Sequence, residues 1–316
     1  MTQIEQQFGK KLPLATLFQS TTISEKATLL KDYEESQLLS PVVKMKSGDD
    51  GLPLFFISPS SGNSLFYMDL ARKMNTKQPI YGLQAPGLNG EREALTTLPE
   101  LAAYYIKAIK TIQQTGHYHI VGFCVAGFLA FEIAQQLSLE GETTALLGMI
   151  ETQSPKVYKI INDRLAAESL GYEIYNAIGF VEELSATSGK KLSLSPQELE
   201  DLKLEEQLEY ILEQAKKHNI LPSEVGVQHM QDLYQVYHAT AKAACNYEAR
   251  PYVGAINLFN ASQPSVEIDI DEKLGWEDWI KGKIEAYEIT GDNHSIMREP
   301  DVVFLAEELA LCLQQV

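Results

Sequence analysis

Short apolar runs alternate with helical periodicity along most of this chain. The runs Leu54 to Ile57, Ile80 to Leu83, His119 to Phe123, Ala145 to Ile150, Ala255 to Phe259 and Ile284 to Ile289 are brief and rich in β-branched or aromatic residues. Gly, Pro or polar clusters bound them, the pattern of buried strands. Between them Leu101, Tyr105, Ala108, Ile109 and Ile112 share one helical stripe. Ala126, Ala130 and Ala134 recur every fourth residue, a small-residue face that lets a helix lie close on a sheet. The segment Val302 to Leu313 keeps Leu305, Leu309, Cys312 and Leu313 on one side. Strands alternating with helices predict an α/β fold with a mostly parallel sheet covered on both faces.

Residues 156–245 break this rhythm, being helical without convincing strands. One stripe there carries Leu208, Ile211, Leu212 and Ala215; another carries Met230, Leu233, Tyr234, Tyr237, Ala241 and Ala244. The pattern predicts a helical insertion, either a lid over the sheet or further helices packed into the core. Before the first core strand, a short separate piece carries apolar Ile4, Phe8, Leu12, Leu14, Leu17 and Phe18. The polar, Gly-containing stretch Ser36 to Gly51 reads as a linker.

With 316 residues the chain has room for one large domain or two. Hydrophobic residues at 45% and charged residues at 22% describe a folded core rather than a disordered chain. The net charge of −17 argues against a nucleic-acid backbone or an anionic membrane as partner, since either would repel it. The cysteines Cys124, Cys245 and Cys312 are far apart and make no disulfide framework, which points to a reducing compartment. No run approaches the roughly 18 apolar residues of a membrane span, and Met1 to Lys11 lacks the apolar core of a signal peptide. These features read as a cytoplasmic protein. No His, Cys or carboxylate cluster has zinc spacing and no Gly-rich loop would cradle a phosphate, so no tightly bound metal or organic cofactor is expected.

The sharpest chemical signal is Gly122-Phe-Cys124-Val-Ala126-Gly127, where an apolar strand runs directly into a helix. This is the arrangement of a nucleophile elbow, G-x-S-x-G, with Cys124 for the Ser and Ala126 for the last Gly. Small residues are needed because the turn is tight and a neighbouring strand crowds it. The turn lifts Cys124 onto the N-terminus of a helix, whose dipole favours a thiolate and whose N–H groups face any oxyanion formed there. Read without that context, Cys124 is a small buried hydrophobe.

A thiol nucleophile needs a base and an orienting acid, in the chain order nucleophile, acid, His. His117 and His119 lie in or beside the elbow's strand, and His218, His229 and His238 lie in the helical insertion; all five read as structural or solvated. His294 follows the last strand in Thr290-Gly-Asp-Asn-His294, where a base should emerge, although a surface loop His fits the same position. Glu151 ends the strand after the elbow's helix, at the sheet edge where open α/β sheets place their sites. It is either the acid or an ordinary loop residue. No acid follows Phe259 until Glu267, which favours Glu151, with Asp292 a weaker competitor. The loop Ser58 to Asn63 follows the first core strand, where a second oxyanion-hole amide originates beside that of Val125. Ser60 is the candidate, a plain turn the alternative.

Taken together, these residues resemble the type I thioesterase domains of nonribosomal peptide and polyketide synthetases, within the α/β-hydrolase fold. The likeness runs from about residue 52 to the C-terminus. It includes Pro53-Leu-Phe-Phe56, the Ser58 to Gly62 loop, Ile80-Tyr-Gly-Leu-Gln-Ala-Pro-Gly87, the elbow, Glu151 to Pro155, Tyr252-Val-Gly254, Leu274-Gly-Trp276 and Gly291-Asp-Asn-His294. The resemblance implies a triad of Cys124, Glu151 and His294, an oxyanion hole from the amides of Ser60 and Val125, and a lid over about 156–245. It implies a thioesterase that takes an acyl or peptidyl chain from the phosphopantetheine of a carrier domain and releases it by hydrolysis or cyclisation. Upstream synthetase modules would be partners.

Residues 1–35 resemble the closing part of a peptidyl carrier domain, with 36–51 as linker and 52–316 as the thioesterase domain. The carrier's phosphopantetheine Ser would lie upstream, so the chain is expected to be either a synthetase fragment or a freestanding relic of one. The chain departs from the family pattern in having Cys124 for Ser, Glu151 for Asp and Ala126 for Gly. A thioester passed to Cys stays activated, whereas one passed to Ser becomes a less reactive oxoester. Two rival readings remain from the sequence: a non-catalytic carrier-docking or acyl-binding module, and a Cys-dependent α/β-hydrolase acting on small lactones or esters.

Overall fold

The computed structural model describes residues 40–88, 90–168, 171–263, 271–293 and 295–316, together with 7–9, 23, 24 and 27. The expected carrier remnant, 1–35, therefore lies outside the described residues except for those few positions. Seven strands form one sheet: β1 (Val42–Lys46), β2 (Leu54–Ile57), β3 (Ile80–Leu83), β4 (His117–Phe123), β5 (Thr143–Ile150), β6 (Ile256–Gln263) and β7 (Ile284–Asp292). Their order is β1-β3-β2-β4-β5-β6-β7, and only β1 runs antiparallel, against β3. All other neighbours are parallel, as the alternation of strands and helices predicts.

Six of the strands fall on the expected runs, with ends shifted by up to a few residues. The seventh is a correction. Val42 to Lys46, inside the stretch read as a linker, pairs through Val42↔Leu83 and Val43↔Gly82. Only Val43 is fully buried there, so an edge strand with one inward side chain looks polar in the sequence.

The strands bury both faces. Phe55, Ile57 and Ile120 point into one core with α2 (Leu98–Ile112) and α3 (Val125–Leu139). Leu54, Phe56 and Val121 point into the other, with α1 (Met68–Lys73) and α8 (Val302–Gln314). This is the period of two that carries alternate side chains to opposite faces. Ala126, Ala130 and Ala134 are buried, as are Leu305, Leu309, Cys312 and Leu313. Of the stripe on α2, Ile112, the helix's last residue, is exposed.

Between β5 and β6 the chain inserts four helices: α4 (Pro155–Glu168), α5 (Tyr172–Ser188), α6 (Leu204–Lys217) and α7 (Val227–Cys245). They have a core of their own, built on Ala177, Phe180, Leu208, Ile211, Leu212, Met230 and Tyr234. The end of α7 and the residues just beyond it join the sheet's core through Ala243, Ala244 and Tyr247, and Tyr158 of α4 and Ala186 of α5 pack against the sheet's two cores. The insertion is a layer with its own core, seated on the sheet at these points. Among the described residues no helix is long and apolar enough to cross a membrane.

Candidate active site

The first core strand, β2, has β3 on one side and β4 on the other, so the chain reverses its direction of travel across the sheet there. Open α/β sheets bind ligands at the carboxyl ends of the strands beside such a reversal. Cys124 stands at that edge, between β4 and α3, with φ 52° and ψ −119°. A non-glycine residue held in such a conformation costs about 1–3 kcal/mol, so its surroundings must enforce it. They do so from three sides. Cys124 N–H donates to the Ile150 carbonyl at 2.8 Å, Gly127 N–H donates to the Cys124 carbonyl at 2.9 Å, and Phe123 N–H donates to Tyr67 Oη at 2.9 Å.

The two glycines explain the motif's sequence. A Cβ on Gly122 would stand 2.1 Å from the Ala126 carbonyl oxygen, and one on Gly127 would stand 2.0 Å from Thr152 Oγ1. The position that cannot bear a side chain is thus 127, while the methyl of Ala126 is accommodated in the core.

The thiol itself departs from the sequence expectation. Its pKa is pushed up to about 12, chiefly by burial, with the charges of Glu183 and Glu151 adding to the rise and the Val125 N–H opposing it. Desolvation outweighs the helix terminus. At neutral pH the isolated group is a thiol, so its nucleophilic form requires a base.

Glu151 follows β5 with φ 48°, its N–H donating to the Phe259 carbonyl at 3.0 Å. Its Oε1 accepts the Ala261 N–H at 2.5 Å. Burial holds this carboxyl above its ordinary range, the Ala261 N–H pulls it down, and nearby Asp292 raises it further. The alternative acid position, directly after Phe259, is Asn260 within β6, whose Nδ2 donates to the Glu272 carbonyl at 2.6 Å. At the end of β7, Asp292 Oδ1 accepts the Ser295 N–H at 2.8 Å and Ser295 Oγ accepts the Asp292 N–H at 2.9 Å. His294, between them, lies outside the described residues; its neighbour Asn293 lines the cavity that Cys124 faces. Of the other histidines, His119 is buried in β4, where desolvation lowers its pKa. His218 caps α6 against the Gln214 carbonyl, and His238 stacks on Tyr234.

The Ser58 to Asn63 loop closes a turn in which Gly62 N–H donates to the Pro59 carbonyl at 2.8 Å, with Ser60 and Ser61 at its centre. Ser60 is buried and lines the cavity, as does Val125. Ser58 Oγ is hydrogen-bonded to Tyr105 Oη at 2.8 Å, which ties the base of the loop to α2.

Sequence reasoning missed a third carboxylate. Glu183, from α5 of the insertion, lines the same cavity, and its Oε1 accepts the Ser61 N–H at 2.5 Å. Burial raises its pKa to about 7, against the pull of its hydrogen bonds to Ser61. Nothing local marks this residue among the acids of its helix; only the seating of α5 over the loop selects it.

Cys124, Glu151, Ser60 and Val125 therefore open on one cavity of about 860 Å³, roofed by Tyr158, Tyr172, Tyr175 and Tyr237 of the insertion. A space of that size holds a substantial acyl group. Residues 52–309 match the thioesterase domain family. The chain belongs to that family.

Across its whole length this thioesterase is 24% identical to the dimodular nonribosomal peptide synthase of Bacillus subtilis (strain 168), a match covering 12% of that much longer protein. The chain thus spans a small part of the relatives it matches. Among solved structures it is similar to a four-domain nonribosomal peptide synthetase crystallised in its holo form with AMP and glycine. That match has a TM-score of 0.79 and 27% identity, over 98% of this chain and 23% of the other. The Vlm2 thioesterase domain shares the fold, with a TM-score of 0.56 and 20% identity over 85% of this chain and 95% of that one. The α/β-hydrolase architecture expected from the sequence is the one observed.

Proposed function

We propose that this thioesterase releases an acyl or peptidyl chain from the phosphopantetheine thioester of a carrier domain, through an acyl-enzyme on Cys124. The observation that carries the reading is Cys124 itself, held at φ 52° on the strand-to-helix turn and open to a cavity that Glu151 and the Ser60 loop also line. His294, from the loop after β7, takes the thiol proton while Glu151 orients it. The sulfur attacks the thioester carbonyl, and the oxyanion is held by the amides of Ser60 and Val125. The intermediate collapses, the C–S bond to pantetheine breaks, and His294 returns the proton to the leaving thiolate. Water, or a nucleophile within the chain itself, then gives its proton to His294 and attacks the acyl-Cys bond. Cys124 leaves as thiolate and is reprotonated. No metal or bound organic cofactor takes part in this cycle.

The partners follow from the same reading: a carrier domain that presents the chain, and upstream synthetase modules that build it. On this reading residues 1–35 are the closing part of such a carrier, and β1, paired with β3, already belongs to the catalytic domain's sheet. The test is incubation with an acyl-pantetheine thioester followed by intact-mass and peptide analysis. An acyl adduct on Cys124, absent from Cys124→Ala, is expected. A wild-type protein that binds the thioester without acquiring the adduct would be an acyl-binding module instead.

A further inference from the structure

We propose that Glu183 is a positioning residue of the oxyanion loop, through which the seated insertion fixes the turn that carries Ser60. This rests on the reading of Cys124 as the acylated nucleophile.

The turn Pro59–Gly62 is closed by its own hydrogen bond from Gly62 N–H to the Pro59 carbonyl. Such a bond pins the two ends and leaves the central peptide unit free, since rotating that unit interconverts the common turn types. Here the central unit joins Ser60 to Ser61. Because a peptide is planar, the bond to the Pro59 carbonyl orients the Ser60 N–H, while the direction of the Ser61 N–H sets the Ser60 carbonyl and the ψ of Ser60; the donor is held on both sides of its Cα only when both peptide units are fastened. The Glu183 carboxylate receives that N–H at 2.5 Å. The donor lies at the sheet edge and the acceptor on α5, 122 residues later, in a layer with its own core. The loop therefore takes its final shape only when α5 is in place over it.

The charge acts in the opposite sense to the bond. Glu183 faces the titratable groups of Cys124 at the end of β4, Tyr67 in the short 3-10 turn Ser64–Tyr67 and Tyr237 on α7, with Glu182 beside it on α5, and its charge disfavours ionisation of all three partners. Removing the carboxylate should make the thiolate easier to form. A slower reaction after its removal would therefore report the lost bond and not the lost charge.

Two substitutions separate these effects. Glu183→Met fills the volume without an acceptor, and Glu183→Gln removes the charge but keeps an acceptor oxygen. Alkylation of Cys124 by iodoacetamide reads thiolate formation alone; acylation by an acyl-pantetheine thioester also needs the oxyanion hole. Both variants should be alkylated at least as fast as the wild type. Acylation should fall about tenfold in Glu183→Met at unchanged half-saturating thioester, a loosened donor counting for less than the 10²–10³ of a deleted one. In Glu183→Gln it should return to within about threefold of wild type, as a conserved acceptor preserves the hydrogen bond. Acylation that simply tracks alkylation in both variants, or that falls equally in both, overturns the positioning role. If wild-type protein forms no adduct at all, the acyl-enzyme reading fails and this proposal with it.

Discussion

Thr152 occupies the space that a side chain on Gly127 would need. Its hydroxyl bonds to the carbonyl of Cys124 at 3.2 Å and to that of Ile150 at 3.0 Å, and a Cβ on Gly127 would stand 2.0 Å from that same oxygen. The neighbouring strand's end is thus packed into the first turn of the elbow's helix. Its carbonyl accepts the indole N–H of buried Trp276 at 2.8 Å, which holds Thr152 from behind.

Gly127→Ala should therefore destabilise the protein by about 1–3 kcal/mol, the usual cost of overpacking, and should disturb the carbonyl of Cys124 at the same time. Denaturant unfolding checks this. Adding Thr152→Ala should recover part of the loss, and strictly additive effects would show that the two positions do not compete.

Cys124→Ala and Cys124→Gly should both lose the acyl adduct, but they should differ in stability. Glycine adopts φ 52° freely while alanine keeps the strain, so the glycine variant should be the more stable by about 1 kcal/mol. Thermal melts in parallel give the comparison; equal melting temperatures would mean the turn is not strained at 124.

The desolvated thiol makes a prediction about pH. With its pKa pushed up to about 12, Cys124 in a His294→Ala variant should show an alkylation rate that keeps climbing past pH 9, where an ordinary thiol levels off. Peptide mapping assigns the label to Cys124 against Cys245 and Cys312. A plateau below pH 9 in that variant would contradict the dominance of desolvation.

Glu183 supplies a linkage test. Its carboxyl titrates near 7 in the folded protein and in the ordinary, lower carboxylate range when unfolded. The folded state holds the proton more tightly, so the stability it contributes is present at acid pH and is lost as pH rises to about 7. Glu183→Gln has no proton to release. Its melting temperature should exceed that of the wild type at pH 8 and approach it at pH 5, the difference at pH 8 being on the order of 2 kcal/mol at about 1.4 kcal/mol per unit, discounted for water in the cavity.

Cys124→Ser should shift release toward hydrolysis, since an oxoester is less activated toward an internal nucleophile than the thioester it replaces. Mass spectrometry of the products from a carrier-bound chain reads the ratio. An unchanged ratio would show that the sulfur does not set the mode of release.

Six of the seven strands, the helices and the elbow are legible from local periodicity alone. Continuous apolar runs mark β2 and β4 as strands buried on both faces, and Gly122 and Gly127 mark the turn that Cys124 must occupy. The sequence also placed Glu151 at the sheet edge, since a parallel sheet brings every strand's C-terminal end to one side. An edge strand with only Val43 facing inward carried too little of that pattern to be read. Tertiary structure decided the rest. Whether Cys124 behaves as a helix-terminal thiolate or a desolvated thiol depends on what covers it, and the insertion and Glu183 come from far along the chain. Electrostatics at a buried site sum over all neighbours in space, and local sequence records only those adjacent along the backbone.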